Sequence, residues 1–165
     1  MGRHDDGVPD LLWDDVKDLL DPEVHGVLPD VRVSGATMAD WQAVIDLPRS
    51  KGWAYEYEEG GRILRMPARV EDIFDRIPDL VPLVRVWPYP DLLAILRFYT
   101  ADEVTFDVDL RELQGQQQID KLCALLRAVG RRLRKKVAMY PEGFDVQPDL
   151  SYLPDIDRVV LVRSA

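Results

Sequence analysis

Residues 92–99 read LLAILRFY and residues 104–111 read VTFDVDLR, and these two stretches decide the fold. The first is apolar throughout except at Arg97, the pattern of a strand buried on both faces near the middle of a sheet. In the second, Val104, Phe106, Val108 and Leu110 alternate with Thr105, Asp107, Asp109 and Arg111. One side of that strand therefore faces a core and the other faces water. A short turn separates the two, and strands joined by short turns pair antiparallel.

Residues 83–87 form a preceding strand, joined to the first through Pro88, Tyr89, Pro90 and Asp91. The longest helix follows, from about Gln116 to Leu133, with Ile119, Leu122, Leu126, Val129 and Leu133 recurring at spacings of three and four. Val137 and Met139 begin another strand, and residues 159–162 make a last one. Between them, residues 141–157 contain three prolines and read as an ordered loop.

Toward the N-terminus, Trp53, Tyr55 and Tyr57 alternate with Ala54, Glu56 and Glu58, and Gly60 with Gly61 turns the chain into a return strand from Arg62. Val70, Ile73, Phe74 and Ile77 lie on one helical face that Pro78 stops. Before them, Thr37 and Asp40 stand three apart as a capping box for a helix carrying Met38, Trp41, Val44 and Ile45, with Pro48 as its expected end. Val31 and Val33 mark a short strand closed by Ser34 and Gly35. The expected architecture is α+β: a mainly antiparallel sheet of about six strands with helices packed on one face.

One domain over residues 1–165 is expected, with an acidic helical arm over 1–23 and a body over 28–165. Within the arm, Leu11, Leu12, Val16, Leu19 and Leu20 recur at helical spacing beside Trp13, after Pro9 and Asp10 and before a stop at Pro22. The arm holds seven Asp and one Glu against Arg3 and Lys17, six of the nine net negative charges of the chain.

Thirty acidic residues against 21 basic ones argue against wholesale binding to nucleic acid or an anionic membrane, because both need a dominant positive field. The longest apolar run, residues 92–96, is far below the ~18 residues of a membrane helix. The first ten residues carry three Asp and no apolar core, unlike a secretory signal. A single cysteine, Cys123, excludes an intrachain disulfide and a cysteine-based zinc cluster. A cytoplasmic protein without cofactor or metal is expected.

Motifs for the commonest chemistries are missing from the chain: GxGxxG, GxxxxGK[ST], GxSxG and HExxH do not occur. The best enzyme candidate is Asp107 with Asp109 and Glu112. Alternation puts the two Asp on the polar face of one strand, roughly 7 Å apart, close enough to share a divalent cation. The competing reading is a solvated strand face. Cys123 lies beside the apolar stripe of the long helix, as a small hydrophobe does, while His4 and His25 are remote from it in sequence. Arg127, Arg131, Arg132, Arg134, Lys135 and Lys136 form one basic cluster, placed where cations complement the helix dipole. Trp41, Trp53, Tyr55, Tyr57, Trp87, Tyr89 and Tyr99 belong either to the core or to an exposed binding face.

The expectation that follows is a non-catalytic acidic module that binds a basic protein, as immunity proteins and inhibitors do. Its expected contact residues are Trp13, Asp14, Asp15 and Asp18 on the arm and Glu56, Glu58, Asp107 and Asp109 on the sheet. The alternative is a small metal-dependent enzyme built on Asp107, Asp109 and Glu112.

Overall fold

A strand apolar on both faces needs neighbours on both edges and layers on both sides, and residues 92–99 receive the former. The computed structural model describes residues 8–143 and 147–162. In chain order it contains α1 (Trp13–Val16), α2 (Pro22–His25), β1 (Asp30–Ser34), α3 (Met38–Lys51), β2 (Ala54–Glu59), β3 (Arg62–Leu64), α4 (Val70–Phe74), β4 (Pro82–Tyr89), β5 (Leu92–Thr100) and β6 (Glu103–Asp107). A 3-10 turn (Leu110–Glu112), α5 (Gln116–Leu133), β7 (Val137–Tyr140), β8 (Leu150–Leu153) and β9 (Arg158–Leu161) complete it.

The nine strands make one sheet in the order β3-β2-β4-β5-β6-β1-β7-β8-β9, with every neighbouring pair antiparallel. The α+β class and the antiparallel pairing are as expected; the count of about six strands is not. All the strand segments marked by the sequence join a single sheet, and β8 adds one inside the stretch taken for a loop. That strand is four residues long and lies between Pro148 and Pro154, so the prolines bracket it rather than exclude it.

Helices α3 and α5 pack on each other, and α5 lies against β5, β7, β8 and β9. The full α5 stripe is buried, and Trp41 on α3 sits at the centre of an aromatic cluster. Its ring stacks on Phe98 at 4.7 Å and meets the edge of Phe74 at 5.5 Å, while its indole N–H donates to the Thr100 carbonyl at 3.0 Å. The capping box of Thr37 and Asp40 starts α3 as the sequence requires.

Three local expectations are corrected. Pro48 does not end α3; it is buried within the last turn, and Gly52, at φ +70, closes the helix by donating to the carbonyls of Arg49 and Pro48. Pro22 does not stop the arm's first helical stretch, which already ends at Val16; it opens α2, whose Glu23 N–H is capped by the Asp21 carboxylate. The arm is not one helix but α1, a turn and α2, and its buried anchors are Leu11, Val16 and Leu20, while Leu12 is exposed.

Candidate functional site

Side chains alternate along a strand, so the face of the sheet opposite α3 and α5 is fixed by register. One cross-strand row runs Glu56, Arg85, Ile95, Asp107, Asp30, Tyr140 over six adjacent strands. The next row places Glu58, Leu83, Arg97, Thr105 and Arg32 beside it. Arg85 reaches Glu58 at 3.1 Å and Glu56 at 3.8 Å. Arg97 Nε donates to Asp107 at 3.0 Å, and Arg32 donates to Asp30 at 3.1 Å while lying 4.8 Å over the Tyr140 ring. The carboxylates expected on this surface are thus answered by arginines of the same face.

Asp107 departs from the expected solvent face. Only 8% exposed, it stands directly opposite Asp30, a like-charge pair that sheets normally avoid. Burial pushes the Asp107 carboxyl up, the Asp30 carboxyl pushes it further, and the Arg97 guanidinium opposes both. Because the folded value exceeds the unfolded one, the stability linked to Asp107 is fully present below about pH 4 and is lost as pH rises through its folded midpoint. Removing the neighbouring charge with Asp30→Asn is expected to move that midpoint down. A carboxyl-carbon NMR titration of Asp107 measures it, and an unmoved midpoint would mean that burial alone sets the shift.

The expected trio of Asp107, Asp109 and Glu112 does not converge. β6 ends at Asp107, and Asp109 instead caps the 3-10 turn, accepting from the Arg111 N–H at 2.9 Å and pairing with its guanidinium. That guanidinium holds the Asp109 carboxyl below its usual range. Glu112 accepts from the Leu93 N–H at 3.2 Å, and burial pushes its carboxyl up. Among the described residues no group of three or more His, Cys, Asp or Glu is arranged to hold a metal ion. Cys123 is buried, and desolvation pushes its thiol up to about 12, which keeps it from acting as a thiolate near neutrality.

The arm is the other half of the expected site. Asp10, its side chain 9% exposed, accepts from Arg127 at 2.5 Å and from the Val159 N–H of β9 at 3.0 Å, with Arg158 at 3.6 Å. Gln116 accepts from the Trp13 N–H at 2.8 Å and donates to the Leu11 carbonyl at 2.9 Å, and Gln114 donates to the Leu20 carbonyl at 2.8 Å. Side chains from α5 and the turn before it thus hold the arm backbone. Trp13 is half-buried against the core, whereas Asp14, Asp15 and Asp18 are exposed, and among the described residues only Lys17 pairs with one of them, Asp14, at 3.7 Å. Asp5, Asp6 and His4 lie outside the described residues.

Half of the basic cluster is likewise spoken for: Arg127 by Asp10, Arg131 by Asp157 at 2.6 Å, and Lys135 by Asp40. The aromatic residues do not share one face. Trp41 and Tyr57 are core, Trp53, Trp87 and Tyr89 are half-buried, and Tyr55 and Tyr99 are exposed. Sequence reasoning missed Asp10, Asp30, Arg32, Arg85 and Arg97, whose partners are set by sheet order rather than by local spacing. No known protein family, curated protein or solved structure matches the chain. Among the described residues no helix is long and apolar enough to cross a membrane.

Proposed function

We propose that the protein is a stoichiometric, non-catalytic binder of a basic protein, of the immunity or inhibitor type, with the arm as its steering surface. One observation carries the reading. Asp14, Asp15 and Asp18 are exposed on a segment whose position is fixed by buried Leu11, Val16 and Leu20 and by the Asp10 ion pair. Charges held at fixed positions add coherently to the field a partner meets, and the net charge of -9 favours a basic protein over nucleic acid. Glu56 and Glu58, each near Arg85, and Asp107 and Asp109, paired with Arg97 and Arg111, contribute less to that field. A cytoplasmic setting is part of the proposal.

The test is association kinetics, at two salt concentrations, with the partner recovered by pull-down from the native cell. Changing Asp14, Asp15 and Asp18 together to Asn is expected to slow association about tenfold at low salt, with a smaller effect at high salt and little change in dissociation. An on-rate at low salt that the three changes leave unaltered would remove the arm as the steering surface. A partner of acidic character would remove the reading itself.

A further inference from the structure

The two edges of the sheet are finished differently. At β9 the Asp10 carboxylate takes the Val159 N–H and sits beside Arg158, so the arm closes that edge. At the other end, β3 pairs only with β2 among the described residues, and all three of its residues are exposed. Its hairpin turn is the two-residue Gly60–Gly61, with φ of +53 and +82, the conformation of a type I′ turn. In such a hairpin the flanking residues, Glu59 and Arg62, form the hydrogen-bonded pair, so Ile63, opposite Glu58, occupies a non-bonded position. The Ile63 N–H and C=O therefore point away from the sheet, toward the open edge.

This edge is apolar as well as unpaired. Of the eleven large apolar side chains exposed among the described residues, Tyr55, Ile63, Leu64, Ile77, Leu80 and Val81 all belong to this end of the fold. Leu80 lies across the turn, within 3.3 Å of where a Cβ on Gly60 would stand. An open groove of about 1000 Å³ begins where β3 ends, lined by Arg65, Met66, Pro67 and Ala68 together with Arg49 and Arg76. Arg49 is engaged by the Tyr55 hydroxyl and Arg76 by Glu59 at 3.4 Å, but among the described residues the guanidinium groups of Arg62 and Arg65 have no hydrogen-bond or ion-pair partner. Asp72 and Asp75, on the α4 side, line the same groove as these arginines.

We propose that the β3 edge is a strand-addition site for an extended acidic segment of another protein, one that alternates apolar residues with carboxylates. Backbone pairing at Ile63 supplies the alignment, and Arg62 and Arg65 select for acidic over basic sequence. The site lies eight strand spacings from β9, roughly 38 Å along the sheet, so it is separate from the acidic arm and prefers a partner of opposite charge.

The experiment is an amide NMR titration of the full chain with two capped octapeptides, one alternating Glu and Val, the other Lys and Val. The Glu–Val peptide is expected to give saturable shifts centred on Ile63 and Arg65, and the Lys–Val peptide none there. Ile63→Pro, which removes an N–H the sheet does not use, is expected to weaken binding about tenfold or more while the rest of the spectrum stays folded. Arg65→Glu, an exposed change that leaves the hairpin intact, is expected to weaken it by a similar factor. Equal shifts from both peptides, shifts confined to other regions, or no saturable response would each overturn the proposal. So would concentration-dependent broadening at Ile63 without peptide, because the occupant would then be a second copy of the chain. The arm substitutions leave this titration unchanged, so its outcome is independent of the steering proposal.

Discussion

Replacing Trp41 by alanine is expected to destabilise the protein by about 3–5 kcal/mol, the range found for large aromatic residues removed from a packed core. Trp41 is fully buried, and three separate interactions converge on it: the stacked Phe98 ring, the edge-on Phe74 ring and the hydrogen bond from its indole to Thr100. These partners come from α4 and β5, so the indole joins three elements that are distant in sequence. Its removal leaves a cavity that neither neighbour fills without abandoning its contact with the other, which are 5.7 Å apart in their own edge-on pair. Trp41→Phe keeps a ring in the site but loses the N–H and part of the volume, and should cost roughly 1–2 kcal/mol. Urea melts of both variants measure the difference. Losses under about 1 kcal/mol for the alanine variant would show that this cluster is not the core joining α3 to the sheet.

The contrast between Trp41 and Asp10 shows what was legible in the chain. Trp41 is announced by its own helix, because Met38, Trp41, Val44 and Ile45 repeat at the helical period behind a capping box. The α5 stripe is legible for the same reason over a longer run, and its bounds coincide with the expected Gln116 to Leu133. Asp10 looks like one more arm carboxylate, yet its partners are Arg127 and Val159, 117 and 149 residues away. No local spacing encodes such a pair. It follows from β9 being the edge strand and from the arm lying against it.

The same distinction separates Asp107 from its expected role. Alternation places its side chain opposite Phe106 correctly, but its burial depends on which strand lies on each side of β6. β1, the first strand of the chain, inserts between β6 and β7, bringing Asp30 opposite Asp107, while β5 contributes Arg97. A strand taken in isolation looks solvated on that face; in the sheet it is enclosed by the long side chains of its neighbours. β8 was obscured differently. Leu150, Ser151 and Tyr152 do alternate, but a four-residue strand bracketed by Pro148 and Pro154 is too short for a period of two to stand out.

Gly130→Ala is expected to destabilise the protein by about 3 kcal/mol, at the upper end of the cost of overpacking, although Ala is favoured over Gly in a helix interior by about 1 kcal/mol. The sign is reversed by Tyr152. A Cβ on Gly130 would lie 2.1 Å from the Tyr152 Cδ1 and 2.3 Å from its Cε1, far inside contact distance. The ring has little freedom to retreat, because its hydroxyl donates to Asp157 at 2.6 Å and Asp157 is in turn gripped by Arg131 of α5. Burial, with Asp157 adding to it, pushes the Tyr152 hydroxyl up to about 12, so it remains a donor across the ordinary pH range. Accommodating the methyl group therefore means either displacing β8 from α5 or breaking this chain of bonds. A double-mutant cycle isolates the cause. In a Tyr152→Ala background the obstruction is gone, and Gly130→Ala should become neutral or stabilising in urea melts. If it costs the same in both backgrounds, the glycine is required by the helix itself and not by the close approach of β8.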